Sequence, residues 1–491
     1  MKSEQYFRSA ESPEAVGISS QAIIHFLDEI EYKRLPMHGM LLIRKNQVVC
    51  EGYWAPYTAD SLHRMYSISK SFVSLAVGLL IDEGKLRLND RAADFFQDEL
   101  PQPLHPYLAR TTIRDLLIMA TPHSENAYGR DDPDWLQAFF QKEPSHPPGT
   151  IFAYDTAATV VLTTIAERIS GKPFLEYMRP ALLDPLGFSK QAWCIQTPEG
   201  SSWGGSGVLC TLRDMAKVAL LCLNEGRWNQ KQLISREYIQ QATSRQIDNS
   251  HLFDKHGYGY QIWRLRENGF AFIGMGSQLA LCFPDQQFIF ACTADTQGLG
   301  ETGTGIVEAM WKHLYPSLSS SALPPDTAST RLNDRLNNLA ILPQPGLPDS
   351  VTAERVSGVW YKLAANPMQI TRLRLIFSQE EGCLAYTSAQ GDHSLRFGLG
   401  KQVMDTFPQN NYFGYRIGRP AGKGYKYLAS AAWVEPAKLN LLVYIIDHYL
   451  GTLKITLTFS GDEIGVYMTK AAEWFLDEYE GFAGGHALPT D

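Results

Sequence analysis

The stretch Ser67-Ile68-Ser69-Lys70 opens an apolar segment that runs to about Glu83. Its apolar residues recur at i, i+3 and i+4, which predicts a helix over 67–83 that ends at Gly84. Ser67 and Lys70 then lie one turn apart on one face of the helix. A lysine whose pKa is lowered by burial can take the proton of a serine hydroxyl and make it a nucleophile. The same four residues could also form an ordinary Ser–Lys pair on the protein surface. Other motifs in the chain are needed to distinguish a catalytic pair from a surface pair.

Length and composition narrow the class of protein. The chain has 491 residues, 44% of them hydrophobic and 20% charged, which predicts a globular protein of two or three domains. A net charge of -8 disfavours nucleic acid as a partner. The seven cysteines are scattered without a C-x-x-C pair, and neither a secretory leader nor a membrane span of about 20 apolar residues is visible. We therefore expect a cytoplasmic protein with reduced thiols and no membrane partner.

The pattern of the chain changes along its length. Residues 1–316 mix helical and strand-like segments, among them a predicted strand over Gly259–Trp263. Residues 317–350 are rich in Ser and Pro and are predicted to be a linker. Residues 351–491 hold one strand-like run after another, which predicts an all-β domain, either a small antiparallel sheet or a barrel.

Three further motifs follow the Ser67–Lys70 stretch. The first is Pro147–Tyr154, which leads into a predicted helix; the second is Ser206–Asp214; and the third is Gly274–Leu279, which enters a strand. Together and in this order the four resemble the serine β-lactamase-like superfamily. It comprises class C β-lactamases, DD-peptidases (penicillin-binding proteins), and related family VIII-type esterases and amide hydrolases.

The resemblance spans about residues 10–315 and implies an α/β (α+β) fold, with an antiparallel sheet flanked by helices. It also implies roles for single residues. Ser67 matches the acylated nucleophile, Lys70 its base, and Tyr154 the tyrosine that relays protons to and from the leaving group. Gln278 falls where a backbone N–H forms the oxyanion hole together with the N–H of Ser67.

Two motifs depart from the family pattern. Thr156 stands where an asparagine is usual, and Met275-Gly276-Ser277 replaces the box that commonly reads Lys-Thr-Gly. The usual lysine pairs with the carboxylate of a β-lactam or a D-Ala-D-Ala peptide, and Met275 carries no charge. These residues are candidates for substrate binding, and they favour neutral esters or amides over β-lactams.

Other candidates have two interpretations. His123 and Trp203 either line the substrate pocket or belong to the core, and His63 either reaches the site or is structural. The stretch Gly298–Gly303 matches G-x-G-x-x-G, but the Ser- and Pro-rich segment after it lacks the acidic strand that a dinucleotide site requires. The twelve histidines form no metal-binding pattern, so we expect neither a metal nor a cofactor.

The sequence thus favours a serine hydrolase that forms an acyl-enzyme with a small ester, amide or peptide. A catalytically weak penicillin-binding-like protein that serves as a sensor, binding module or scaffold is the alternative. The C-terminal segment, which begins at Gly358-Val359-Trp360-Tyr361, loosely resembles the small lipocalin-like barrels appended to some family members. A third possibility is that this domain carries the function by binding a ligand or partner. The oligomeric state stays open.

Overall fold

The computed structural model describes residues 7–100, 102–129, 131–252, 256–299, 304–408, 425–471 and 479–489. Contacts divide these residues into two units. The first holds residues 7–294 and 304–340, and the second holds residues 295–299, 341–408 and 425–489. No helix in the described ranges is long and apolar enough to cross a membrane.

The first unit combines helices and strands. Its helices α1 to α11 are Ser20–Tyr32, Ile68–Asp82, Pro106–Arg110, Ile113–Leu117, Trp135–Gln141, Thr156–Ser170, Phe174–Met178, Leu212–Leu223, Arg236–Thr243, Gly305–Ala309 and Ala328–Asn337. Its strands β1 to β12 are Arg8–Ser9, Met37–Arg44, Gln47–Tyr53, His63–Arg64, Trp193–Cys194, Val208–Cys210, Arg227–Trp228, Lys231–Gln232, Trp263–Arg264, Phe270–Gly274, Gln278–Phe283 and Phe288–Ala294.

A seven-stranded sheet forms the centre of this unit, in the order β1-β3-β2-β12-β11-β10-β9. Its neighbours pair antiparallel except for β1 and β3. Strand β2 is buried along its whole length because helices cover both faces. On one face Phe26 of α1 meets Phe290, which lies opposite Leu42. On the other face Leu212 of α8 packs on Gly39. The predicted sheet flanked by helices is confirmed.

Helix α2 fills the space beside the sheet and closely matches the predicted helix over 67–83. All its residues from Ile68 to Leu80 are buried, which agrees with the apolar or small side chains on nearly every face of the helix. It packs against α6 and α9. A small sheet, β4-β6-β5, holds the chain that enters α2.

One predicted strand of this unit is wrong. Of the strand predicted over Gly259–Trp263, only the last residue, Trp263, lies in an observed strand, which is Trp263–Arg264. Gln261 has a backbone φ of 57°, which a strand cannot accommodate. Its buried amide donates to the carbonyl of Leu116 at 2.9 Å and accepts from Thr159 at 2.7 Å. These hydrogen bonds determine the local backbone conformation. The strand-like pattern of residues 259–263 contains no sign of them.

The segment predicted as a linker over 317–350 contains α11. Arg335 of this helix forms an ion pair with Glu31 of α1, and Arg331 donates to Gln21. Leu336 lies against Gly52 of β3. The first part of the segment therefore belongs to the first unit.

The second unit is a barrel. After α12 (Val351–Val356), its strands β13 to β22 are Trp360–Leu363, Ile370–Phe377, Glu381–Ser388, Gly391–Leu399, Val403–Thr406, Lys426–Glu435, Lys438–Ile446, Leu450–Ser460, Glu463–Ala471 and Tyr479–Ala487. Among the described residues β16-β15-β14-β13-β22-β21-β20-β19-β18 form a ring, which a short parallel pairing of β16 with β18 closes. Strand β17 pairs with β18. The predicted all-β C-terminal domain is confirmed as a closed barrel.

Burial alternates along the barrel strands. In β15 and β21 every second residue is buried, as expected for strands with one face toward a core. Trp433 is part of this core, with its ring 5.8 Å from that of Phe377 and 6.0 Å from that of Phe459.

Candidate active site

Ser67 lies at the first turn of α2, in a segment that is fixed on both sides. Before it, the N–H of Met65 donates to the carbonyl of Val208 at 2.8 Å. After it, the Ser69 hydroxyl accepts from the N–H of Val208 at 3.0 Å. Tyr66, the residue directly before Ser67, is buried with a φ of 47°. A bulky residue in this left-handed region is strained, and such strain concentrates at functional sites.

Lys70 is buried beneath Ser67. Its Nζ lies 3.1 Å from Ser67 Oγ and 2.6 Å from the carbonyl oxygen of Gly205, and both partners are neutral. Burial lowers the pKa of Lys70 to about 7, against an opposing effect of the Asp155 charge. Because burial disfavours the ammonium form, a large fraction of Lys70 is a neutral amine near pH 7. Such an amine can accept the proton of Ser67.

Tyr154 approaches Ser67 from the end of the loop before α6. Its side chain hydrogen-bonds that of Ser67, which lowers the pKa of Tyr154, but burial dominates and raises it to about 12. Lys70 Nζ is 5.1 Å from the centroid of its ring. The ring of Trp263 stacks on that of Tyr154, with the two centroids 5.4 Å apart. At neutral pH Tyr154 therefore holds its proton and is a donor, whereas Lys70 is the available base.

The loop Gly204–Gly207 completes the surroundings of Lys70. A Cβ at Gly204 would lie 2.0 Å from the Thr163 hydroxyl, and one at Gly205 would lie 2.5 Å from the Thr156 methyl. Only glycine lets this loop come close enough for the Gly205 carbonyl to meet Lys70. The Ser206–Asp214 motif includes the end of this loop, and the run of glycines predicts a tight loop near the cleft, but the sequence does not show that the Gly205 carbonyl contacts Lys70. Thr156 is thus placed beside the loop, at the first turn of α6.

The hairpin Met275–Ser277 joins β10 to β11 next to the start of α2. A Cβ at Gly274 would lie 2.3 Å from the carbonyl oxygen of Met65, so the strand end abuts the segment that leads into Ser67. Gly276 and Ser277 have φ values of 75° and 68°. Met275 is 37% exposed. The hairpin therefore offers an apolar side chain near the nucleophile and no cationic one.

Gln278 is buried directly after this hairpin. Its amide group donates to the carbonyls of Met275 at 2.9 Å and Ala294 at 2.7 Å, and accepts from the N–H of Ala294 at 3.2 Å. The side chain thus ties the hairpin to β12. An oxyanion hole formed by the backbone N–H groups of Ser67 and Gln278 stays a prediction.

The remaining candidates occupy buried positions with partners of their own. His123 Nε2 bonds the Phe139 carbonyl at 3.0 Å, and burial lowers its pKa to about 4. The Trp203 indole N–H donates to the hydroxyl of Tyr128 at 3.2 Å. His63 Nε2 bonds His38 Nδ1 at 2.8 Å. These contacts favour structural roles, with Trp203 adjoining the glycine loop.

The part of the chain that the structure describes contains no cluster of three His, Cys, Asp or Glu side chains suited to a metal ion. Residues Gly300–Gly303 of the G-x-G-x-x-G match lie outside the described residues.

Comparison with known proteins agrees with this fold. The family model described as Beta-lactamase matches residues 31–313, more than half of the chain. The chain belongs to this family.

Two relatives illustrate the range of the family. The chain is 25% identical over 219 residues to a 6-aminohexanoate-dimer hydrolase of Paenarthrobacter ureafaciens, a match that covers 41% of this chain and 56% of the relative. It is 24% identical over 183 residues to a putative D-alanyl-D-alanine carboxypeptidase of Escherichia coli K12, covering 31% and 42%. The chain thus spans less than two thirds of the length of either relative.

Solved structures share the fold at low identity. The structure of SurE matches with a TM-score of 0.52 and 15% identity, covering 98% of this chain and 100% of that one. A putative β-lactamase from Bacteroides dorei DSM 17855 matches with a TM-score of 0.51 and 17% identity, covering 60% and 99%. These likenesses establish the fold and carry no information on substrate.

Proposed function

We propose that the protein is a serine hydrolase that forms an acyl-enzyme on Ser67 with a small amide, peptide or ester. The observation that carries this proposal is the distance of 3.1 Å between Lys70 Nζ and Ser67 Oγ, with burial holding the pKa of Lys70 at about 7. A serine is activated when a base of suitable pKa lies within hydrogen-bond reach. Lys70 meets both conditions.

The mechanism follows from the protonation states. Neutral Lys70 takes the Ser67 proton as Oγ attacks the substrate carbonyl carbon, and the C=O bond opens to an oxyanion. The N–H groups of Ser67 and Gln278 stabilise that oxyanion. Tyr154 then donates its proton to the leaving nitrogen or oxygen, the acyl–leaving-group bond breaks, and the Lys70 ammonium restores the Tyr154 proton. Water releases the acyl group by the reverse proton path.

The substrate follows from the relatives and from the rim of the site. The names of the two curated relatives denote an amide and a peptide substrate. In this chain the hairpin beside Ser67 presents Met275, which cannot pair with a carboxylate. We therefore propose neutral amides and esters as substrates. No cofactor or metal takes part in this proposal.

The proposal is tested by the mass of the intact protein after incubation with a fluorophosphonate probe. We expect one adduct on the wild type and none on Ser67→Ala. The matched control is Ser71→Ala on the same helix, where the hydroxyl donates to the Gln261 carbonyl at 2.8 Å, and it should keep the adduct. Folded wild-type protein without any adduct would contradict the proposal.

Turnover separates hydrolysis from binding and defines the substrate class. We expect kcat/KM for p-nitrophenyl butyrate to exceed that for benzylpenicillin by about 10- to 100-fold, the value of one charge-assisted hydrogen bond that the site cannot offer. Faster hydrolysis of benzylpenicillin would refute the neutral substrate class. A stable adduct of Ser67 without turnover of any ester or amide would instead support the sensor or scaffold function, which the departures at Met275 and Thr156 favour.

A further inference from the structure

Trp263 packs flat against Tyr154, the residue that gives its proton to the leaving group in the proposed mechanism. The two ring planes are 25° from parallel, and the ring centroids are 5.4 Å apart. This distance and this angle are typical of an offset aromatic stack. In the sequence Trp263 is only the last residue of a strand-like run, so no motif singles it out.

The position of Trp263 is fixed by backbone pairing and by buried rings. It pairs with Ala271 of β10 at the edge of the central sheet and with Tyr258 through an isolated bridge. Its ring meets that of Tyr258 at 4.9 Å and 82°, and that of Phe152 at 6.0 Å and 65°. Both of these rings are 1% exposed, whereas Trp263 is half-buried. Trp263 is therefore a fixed surface on which the ring of Tyr154 packs.

The hydroxyl of Tyr154 depends on this contact for its position. A phenol ring turns about two side-chain bonds, so its oxygen stays in one place only where neighbouring groups hold the ring. The two buried rings also reach Tyr154, but their centroids lie 6.5 Å away at 45° and 86°, so neither is stacked on it. Lys70 Nζ is 5.1 Å from the centroid of Tyr154 and 3.1 Å from Ser67 Oγ. The Trp263 stack thus holds the phenol beside the nucleophile and its base.

A well-placed proton donor matters for some substrates and not for others. When an amide or an alkyl ester is cleaved, the electron pair of the C–N or C–O bond stays on the leaving atom. That atom needs a proton, because amide anions and alkoxides are strong bases. Fluoride and p-nitrophenolate are weak bases and leave without one. A displaced donor therefore slows cleavage of the first group of substrates and spares the second.

We propose that Trp263 is a positioning residue, whose stacked ring holds the Tyr154 hydroxyl where it protonates the leaving atom of amides and alkyl esters. This inference rests on the proposed function. The proton passes from Tyr154 Oη to the leaving nitrogen or oxygen as the bond to the acyl carbon breaks, and the Lys70 ammonium restores it. Trp263 acts only through the ring of Tyr154. The substrate class of the site is then unactivated amides and alkyl esters.

The experiment compares two esters that form the same acyl-enzyme, ethyl butyrate and p-nitrophenyl butyrate. Because kcat/KM covers the steps up to the acyl-enzyme, the comparison isolates departure of the leaving group. In Trp263→Leu, kcat/KM for ethyl butyrate should fall by about 10-fold or more, a part of the ~100- to 10,000-fold that proton transfer contributes. For p-nitrophenyl butyrate kcat/KM should stay within about 2-fold of the wild type, as should the rate of fluorophosphonate labelling, since neither leaving group needs a proton.

Three further variants separate positioning from packing. Trp263→Phe keeps a ring that can stack on Tyr154 and should recover most of the activity toward ethyl butyrate. Trp311→Leu is the matched control, because Trp311 is also a half-buried tryptophan beside a tyrosine, with its ring 4.6 Å from that of Tyr315. It should keep the wild-type ratio of the two kcat/KM values. In a Tyr154→Phe background, Trp263→Leu should cause no further loss toward ethyl butyrate, because the donor is already absent.

The outcomes are distinguishable. A folded Trp263→Leu variant with the wild-type ratio, whether both esters are cleaved normally or both are slowed alike, would overturn the inference. So would a further loss in the Tyr154→Phe background. If Trp263→Leu does not fold, Trp263→Met replaces it, and failure of both to fold would leave Trp263 as a core residue and overturn the inference. Wild-type protein that is labelled but leaves ethyl butyrate intact would overturn it as well. Absence of labelling in the wild type would refute the proposed function itself, whatever Trp263 does.

Discussion

At the scale of single residues, burial of Lys70 explains why a common four-residue pattern becomes a candidate catalytic pair. An exposed Ser–Lys pair has a lysine that stays protonated at neutral pH. Here α2 is buried on all sides, and desolvation lowers the pKa of Lys70 to about 7. Burial also raises the pKa of Tyr154 to about 12, so the proposed mechanism gives the two groups opposite roles.

This division of roles predicts how activity depends on pH. The rate of Ser67 labelling should rise with a midpoint near pH 7, the pKa of Lys70, because only the neutral amine can accept a proton. Lys70→Arg should lower the rate at pH 8 by about 100-fold or more, since a guanidinium does not deprotonate. Labelling rates from pH 5 to 9 provide the measurement.

The control for this prediction is Lys85→Arg, at a lysine that pairs with Glu83 at the surface beyond the same helix. It should label at the wild-type rate. A flat profile across pH 7, or a Lys70→Arg variant as fast as the wild type, would show that Lys70 is not the base.

The specific order of the motifs singles out Ser67, Lys70 and Tyr154 as candidates, and the structure brings these three side chains together. Their surroundings could not be predicted from the sequence. The Gly205 carbonyl reaches Lys70 from 135 positions along the chain, and a backbone acceptor leaves no trace in residue type. Likewise the sequence does not show that the Thr121 hydroxyl and the Ala127 N–H donate hydrogen bonds to Asp155. Sequence motifs report side chains, whereas much of this site consists of backbone atoms brought together by the fold.

At the scale of secondary structure, the periodicity of apolar residues predicts helix α2 correctly but fails where buried polar contacts determine the backbone conformation. The predicted helix over 67–83 is observed over Ile68–Asp82, because its apolar residues agree with its neighbours in the fold. The predicted strand over Gly259–Trp263 is wrong because Gln261 makes buried hydrogen bonds in a left-handed conformation. Gly78, within α2, is a case where helix propensity and packing oppose each other.

Gly78→Ala should destabilise the protein. In an open helix this change would stabilise by about 1 kcal/mol. Here the new Cβ would lie 2.5 Å from Tyr238 and 2.7 Å from Ile234, and overpacking costs about 1–3 kcal/mol, which outweighs the gain. We expect a lower thermal unfolding midpoint in calorimetry. Gly484→Ala, where nothing lies within 4 Å of the new Cβ, is the control and should change the midpoint little. A more stable Gly78→Ala variant would contradict this account.

At the scale of the whole molecule, the second unit depends on ring closure rather than on a local motif. Strand β22 pairs with β21 from Glu463 to Lys470 and with β13 from Tyr361 to Leu363. It therefore joins the last strands of the chain to the first strand of the barrel. The alternating pattern predicted the strands, but it could not predict which of them pair across more than a hundred residues.

Removal of residues 479–491 should open the barrel. Two strand edges would lose their hydrogen-bond partners, and open edges expose apolar surface and promote aggregation. We expect increased binding of a hydrophobic dye such as ANS and loss of cooperative melting in the barrel, followed by circular dichroism of the full chain and the truncated one. Phe482→Thr is the control, because this side chain is 73% exposed and threonine suits a strand, so the barrel should stay closed. If the truncated protein melted like the full chain and bound no additional dye, closure through β22 would contribute nothing to stability, and the barrel would be held by its remaining antiparallel pairs.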